Sequence, residues 1–253
     1  VMIVPSHMIY TVDFSEVYKQ HLETKADVTV LYKTVNNAHE SFMGVDTLKL
    51  DDKRHVEEIE KNRGKYKNRH ISLDAYMMSK ELFIHLIHLA DNLSSLYTLR
   101  DVLQEQAPLL NMMGYQIKGY VACINSLQEY FRVNMELTDF NIASELFNPD
   151  WPIHTRTSDS CPTQYSESAR VNCSIVANGC YIEGTVVHSV IGRGVVIKKG
   201  ALVENSIVLE GSVIGENVHL KNVVVDKSAN VSKVKELVSD DTKILYVKRQ
   251  DRV

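Results

Sequence analysis

The side chains able to do chemistry in this chain are scattered. Cys123, Cys161, Cys173 and Cys180 have neither the Cys-x-x-Cys spacing nor the histidine neighbours that a zinc site needs. Four cysteines are also sparse for a disulfide scaffold of this length, so they read as reduced thiols. His85 and His88 stand three apart on a predicted helix, but no cysteine or carboxylate at matching spacing completes a ligand set, and neither is assigned a role. Asp13 has a carboxylate suited either to a metal or to a helix terminus. Its place between Val12 and Phe14, at the end of a strand-like run, makes it a helix cap. Lys53, Arg54, Lys61, Arg63, Lys65 and Lys67 form a basic stretch that reads as a solvated charged face.

Composition bounds what these groups can serve. The chain has 253 residues, of which 44% are hydrophobic, enough for one large domain or two ordinary ones. Its 28 basic and 32 acidic residues give a net charge of -4 without a basic stripe or polybasic tail, so nucleic acid and membrane surfaces are not expected partners. Small anionic metabolites remain within reach of local Lys and Arg clusters. Apolar runs such as Leu82-Phe83-Ile84 and Val223-Val224-Val225 fall far short of the roughly 20 residues of a spanning helix. The opening Val1-Met2-Ile3-Val4-Pro5 reads as a buried strand entering a turn rather than a secretory signal, and the expected location is the cytoplasm.

Two patterns divide the chain. Residues 1–147 alternate apolar runs with amphipathic stretches, the mark of an α/β domain. Val17, Tyr18, His21 and Leu22 fall on one helical face, and Val28-Thr29-Val30-Leu31-Tyr32 has strand composition. Ser79 caps a helix carrying Leu82, Phe83, Leu86, Ile87 and Leu89, and Ser126-Leu127-Gln128-Glu129 is a capping-box pattern opening another. Residues 148–171, with Asn148-Pro149-Asp150-Trp151-Pro152 and a Ser/Thr-rich stretch, show neither period and are expected to connect.

From 172 to 253 the pattern changes. Ile191, Ile197 and Val203 recur at six, as do Val208, Ile214 and Leu220, and then Val225 and Val231. Five-residue steps join the groups, so Ile191, Val208 and Val225 recur at seventeen. Such hexapeptide repeats predict a parallel β-helix, expected to be left-handed, with these aliphatics stacked inside over about 172–232. Val195, Ala201, Ser212, Val218 and Ala229, two places earlier, suit its tight corners. Ile244-Leu245-Tyr246-Val247 is expected to add a strand, and Val186, Val187, Val223 and Val224 are expected outward apolar contacts for assembly.

An α/β domain followed by a β-helix, with several segments matching in order, resembles the bacterial glucose-1-phosphate adenylyltransferase (ADP-glucose pyrophosphorylase) family. Ser6-His7-Met8-Ile9-Tyr10-Thr11-Val12-Asp13-Phe14 is similar to that family's Gly-Asp-His-Ile-Tyr-x-x-Asp-Tyr, and Glu60-Lys61 to its Glu-Lys-Pro. Ile71-Ser72-Leu73-Asp74-Ala75-Tyr76 resembles Ala-Ser-Met-Gly-Ile-Tyr. Gly119 to Leu137 resembles the segment running from Gly-Tyr-Trp-x-Asp-Val-Gly-Thr to Asn-Met-Asp-Leu, and Trp151-Pro152-Ile153-His154-Thr155 resembles Trp-Pro-Ile-Tyr-Thr. The resemblance implies a nucleotidyltransferase-like, Rossmann-like domain over 1–147, a connector over 148–171 and the β-helix domain with its tail over 172–253. It implies that Glu60, Lys61 and Ser72 are the sugar-phosphate-binding positions. The family's Gly-rich nucleotide loop is absent from this stretch, which implies an N-terminally incomplete domain.

The departures carry the functional expectation. Where the family holds magnesium with two aspartates this chain has His7 and Cys123, neither of them a hard oxygen ligand, so no catalytic residue, metal or cofactor is expected in this chain. Asn62 replaces the proline, and Asp74 replaces a glycine and adds a charge that repels phosphate. The family's regulatory GlgD-type subunit diverges in this manner. The expectation is a catalytically deficient regulatory subunit in glycogen biosynthesis, partnered by a catalytic glucose-1-phosphate adenylyltransferase subunit that carries the magnesium, with a sugar phosphate or allosteric metabolite as a further partner. An active sugar-nucleotide pyrophosphorylase is the alternative. A hexapeptide-repeat acyltransferase, with His188 or His219 as general base, ranks below it because so much α/β sequence precedes the repeats.

Overall fold

The computed structural model describes residues 1–92, 98–154, 157, 159–240 and 243–253. Its contacts divide the chain into two compact units, Val1–Cys123 and Ile124–Val253.

In the first unit, β1 (Met2–Ile3), β2 (Met8–Tyr10) and helix α1 (Phe14–Thr24) lead into β3 (Val28–Val35), β4 (Asp46–Leu50), β5 (Val56–Lys61) and β6 (Arg69–Met78). Helices α2 (Lys80–Asn92) and α3 (Leu99–Gln106) then precede β7 (Met112–Gln116) and β8 (Val121–Cys123). The main sheet has the order β5-β4-β6-β3-β7 with β1 also on β6, while β2 and β8 pair by themselves. Only β3 and β7 run parallel; the other pairs are antiparallel, so this is a mixed α/β sheet. β3 lies inside the sheet between β6 and β7, and its Val28, Val30 and Leu31 are completely buried, each contributing about 1.5–3 kcal/mol by leaving water.

Local chemistry sets the helix ends. Asp13 caps α1 by accepting from Ser15 N at 2.8 Å, and Ser79 Oγ accepts from Leu82 N at 3.0 Å at the start of α2. The expected apolar face of α1 is only partly used: Val17 is buried, but Tyr18 and Leu22 remain exposed. Helix α3, not anticipated from the apolar pattern, opens on a capping box between Thr98 and Asp101.

The second unit opens with α4 (Leu127–Glu136) and α5 (Phe140–Leu146). Ser126 caps α4 through Glu129 N, but the Glu129 carboxylate turns to Arg132 instead of completing the box. Phe131 and Met135 of α4 cluster with Ile207 and Val224. That packing is why contacts place the two helices with the coils, although the sequence pattern changes later, near 147.

The coils form a parallel β-solenoid of three sheets, each five strands deep, running from Gln164–Tyr165 to Leu245–Val247. Ile191, Ile197, Val203, Val208, Ile214, Leu220, Val225 and Val231 all lie in its interior with at most 1% exposure, as the six-six-five repeat requires. The stack begins at Gln164, earlier than 172, because the polar first coil carries few interior aliphatics to mark it. Thr185 pairs with Leu202, seventeen residues on, but Arg170 pairs with Thr185, fifteen on, since one side is shortened between Ile182 and Thr185. Gly184 sits in that shortened corner, where an added Cβ would meet Ala201 O at 2.5 Å. The tail strand Leu245–Val247 pairs in parallel with Val223–Val225.

Of the valines expected to face outward, two do not and two do. Val186 and Val223 point into the solenoid core, Val224 is covered in the cluster that includes Phe131, and only Val187 is partly exposed. Among the described residues no helix is long and apolar enough to cross a membrane.

Candidate functional site

Strands β2 and β8 bring the two divergent positions of the first unit together. Met8 pairs with Cys123, so His7, just before β2, lies beside the end of β8. The Cys123 side chain is completely buried among Met8, Ala38, Phe42, Val45 and Ile71. His7 is partly exposed, and its Nε2 lies 3.6 Å from Asp74 Oδ2.

Asp74 owes its place to an irregularity in β6. Val30 pairs with Tyr76 and Tyr32 with Ser72, so Leu31 opposes Leu73, Asp74 and Ala75 together. Asp74 turns this bulge with φ +50°, a left-handed conformation that aspartate tolerates better than most residues. The Ser72 hydroxyl, fully buried, accepts from Asp74 N at 3.2 Å and so braces the bulge.

A second buried carboxylate lies close by. Asp46, 4% exposed, stands across from Lys61 in the β4–β5 register, with Lys61 Nζ 3.0 Å from Oδ1. Arg100 Nε reaches Asp46 Oδ2 from α3 at 2.8 Å, while its Nη1 lies 3.2 Å from Asp101 Oδ1. Burial pushes the Asp74 carboxyl above the usual carboxylate range, the Asp46 charge adds to this, and His7 and Lys61 oppose it. Tyr76 is driven well above the ordinary tyrosine value by burial, then by Asp74 and Asp46. Tyr10 is raised by burial and by Asp74. Among the described residues, Asp74 Oδ1 and the Tyr76 hydroxyl find no hydrogen-bond partner at ordinary distance, and both atoms are buried.

Of the positions expected to hold a sugar phosphate, Lys61 is ion-paired to Asp46, Glu60 Oε2 accepts from Arg69 Nη2 at 3.1 Å, and Ser72 is enclosed. Asn62 is a loop anchor. Its Nδ2 donates to the carbonyls of Ala38, Ser41 and Phe42, and its Oδ1 accepts from Gly64 N. Asp46, Arg100 and Tyr76 were missed in the sequence. Arg100 had a signal in the capping pattern Thr98-x-x-Asp101 around it, and Tyr76 one in the tyrosine that ends the matched Ala-Ser-Met-Gly-Ile-Tyr segment.

The donor set does not suit magnesium. That ion takes oxygen ligands in near-octahedral geometry, whereas positions 7 and 123 offer an imidazole beside a carboxylate and an enclosed thiol. Among the described residues no group of three or more His, Cys, Asp or Glu side chains is placed to hold a metal. His85 and His88 are exposed on α2.

The second unit carries the two histidines considered as bases. His219 Nε2 lies 2.8 Å from Glu204 Oε2. His188, at φ +44°, ends a ladder with Asn205 and Asn222 at the same corner of successive coils. Asn222 Nδ2 donates to Ser239 O at 2.7 Å, and Asn205 Nδ2 donates to Asn222 Oδ1 at 2.5 Å. Asn205 Oδ1 is then left to accept from His188 Nδ1 at 3.0 Å. His188 and Asn205 line a pocket of about 580 Å³ with Phe131, Met135 and Ile244.

The hexapeptide model "GlmU-like, C-terminal hexapeptide" matches residues 160–244, the solenoid. Beyond it, the chain is 28% identical over 231 residues to the "Glycogen biosynthesis protein GlgD" of Bacillus subtilis, covering 91% of this chain. It is 30% identical to a glucose-1-phosphate adenylyltransferase of Desulforamulus reducens and 27% identical to one of Bacillus cereus, each over 89% of its length. The chain is a relative of the glucose-1-phosphate adenylyltransferases. It spans 57–60% of the length of these three relatives. Against the adenylyltransferase pattern, Asp74 stands where the family motif has glycine, and its φ of +50° gives the reason glycine suits that position. The two departures at 7 and 74 are complementary: one removes a carboxylate, the other adds one, and the resulting His7 and Asp74 face each other.

Proposed function

We propose that this chain supplies part of a regulatory, catalytically deficient subunit of glucose-1-phosphate adenylyltransferase, acting in glycogen biosynthesis by altering a catalytic partner subunit. The observation that carries the reading is the His7–Asp74 pair. Where an adenylyltransferase needs carboxylates held open for magnesium, the chain has its own imidazole and carboxylate opposed to one another, and an enclosed thiol at Cys123. The magnesium and the chemistry then belong to the partner. Similarity along about nine-tenths of the chain to both a GlgD protein and adenylyltransferases supports a retained scaffold.

Glu60, Lys61 and Ser72 serve structure in this reading, because each is committed to an internal partner. A subunit with a disabled site and an intact scaffold can favour one conformation of its partner by differential contact energy. A coupling of about 1–3 kcal/mol changes the partner's apparent affinity roughly 5- to 150-fold.

The test assays the catalytic relative from the same cell with and without the full-length protein. A shift in substrate or effector curves at saturating subunit is expected; identical curves despite proven association would leave a structural role alone. The converse test restores the site. If unmodified full-length protein turns over by itself at a rate that His7→Asp with Cys123→Asp and Asp74→Gly does not improve, the deficiency is disproved.

A further inference from the structure

The cavity between α4 and the coils lies wholly within the second unit, and the subunit reading makes no use of it. Its floor is the apolar cluster that joins the helix to the solenoid: Phe131 and Met135 come from α4, and Ile244 from the tail. At about 580 Å³ it has the size of a small-molecule site. The few polar groups that face it decide what such a site accepts.

Those groups are acceptors. Among the described lining residues Arg132 is the one cation, against the carboxylates of Glu129 and Glu136. The guanidinium is turned to both of them: Nε and Nη2 lie 3.1 and 2.8 Å from Glu129 Oε2, and Nη1 lies 2.6 Å from Glu136 Oε2. Spacings of three and four residues build this bridge on the helix itself. With His188 neutral, these residues leave the lining one charge negative over an apolar floor. Glu129 is only 15% exposed, and its Oε1 accepts from no donor among the described residues.

The asparagine ladder supplies a further acceptor. Ser239 O fixes the direction in which Asn222 and Asn205 donate, so Asn205 Oδ1 takes the His188 Nδ1–H, and the neutral imidazole keeps its lone pair on Nε2. That nitrogen has no hydrogen-bond partner among the described residues, and the His188 side chain is exposed at the cavity. An anion entering here would meet two carboxylates and a guanidinium already turned to them. An apolar body carrying charged N–H donors would find a dry floor, an excess carboxylate and a lone pair.

We propose that this cavity binds a small organic ammonium ion, its N–H groups on Glu129 and His188 and its apolar body on Phe131, Met135 and Ile244. The proposal is independent of the subunit reading. It needs neither a catalytic partner nor the His7–Asp74 pair, so either can fail without the other.

The experiment titrates the whole chain with phenethylamine and follows the Met135 and Ile244 methyl signals by NMR at neutral pH. Saturable shifts at millimolar amine are expected, with roughly tenfold weaker binding of the neutral 2-phenylethanol and none of the anionic phenylacetate. Glu129→Gln should weaken the amine roughly tenfold or more. His188→Asn removes the Nε2 acceptor without touching α4, at a left-handed corner that asparagine already occupies in the next two coils, and should weaken it roughly threefold or more. Glu145→Gln, the same charge change at an exposed position outside the lining, should leave affinity within about twofold. Absence of saturable shifts, unchanged affinity in either the Glu129 or the His188 variant, or an equal loss in the Glu145 variant would overturn the site. Binding of 2-phenylethanol or phenylacetate as tight as that of phenethylamine would overturn the ligand class.

Discussion

Lys61 and Asp46 face each other across neighbouring strands, the ammonium half exposed and the carboxylate almost wholly enclosed. The asymmetry decides what each contributes. Removing the enclosed member strands Arg100 as well as Lys61, so Asp46→Ala should cost about 3 kcal/mol. Lys61→Ala leaves Arg100 to neutralise Asp46 and should cost less than about 1 kcal/mol. Denaturant unfolding of the two variants measures the difference.

Asp74 should make stability fall as pH rises. Its native carboxyl is raised, chiefly by burial and then by Asp46, so the folded chain holds this proton more tightly than the unfolded chain, whose carboxyl titrates near the usual ~3.9. Ionising it costs stability as pH climbs from that value through the raised native one. Asp74→Asn, which keeps a left-handed-tolerant residue, should match the parent at the acid end and exceed it at neutral pH. Urea midpoints measured at both ends check the sign.

Phe131 holds α4 on the coils. Truncation to alanine uncovers Ile207 and Val224 and should cost about 3–5 kcal/mol. Hydrogen exchange should show the 127–136 amides losing protection while the amides of the solenoid interior keep theirs.

The asparagine ladder fixes a tautomer. Ser239 O can only accept, so each amide must donate toward it, and neutral His188 must carry its proton on Nδ1. Nitrogen-15 NMR should find the Nδ1–H form in the parent protein. A return toward the mixture of a free imidazole is expected in Asn205→Ala, which removes the acceptor.

The solenoid was legible because its interior repeats: the residues at six, six and five are the ones the fold buries, and one period sufficed to find them. The first coil was not, since Tyr165 and Val171 stand in polar surroundings. In the α/β unit, His7 and Cys123 were identified by resemblance, and strand pairing sets Cys123 opposite Met8, the residue after His7. Their setting was hidden. Asp46, Asp74, Lys61 and Arg100 come from β4, β6, β5 and α3, and the pairing of these elements cannot be read from spacing along the chain. Asn62 shows the same gap, a single substitution in sequence but a loop anchor in space.

The shortened side between Ile182 and Thr185 shows where this fold keeps its tolerance for change in length. Arg170 and Thr185 are fifteen residues apart and Val223 and Leu245 twenty-two, yet both pairs stack as the seventeen-residue pairs do. Alignment between coils is therefore set by which side chains fill the interior, and corners absorb whatever residues lie between. Insertions and deletions at corners can redraw the outer surface of such a molecule over evolutionary time while its inside stays the same.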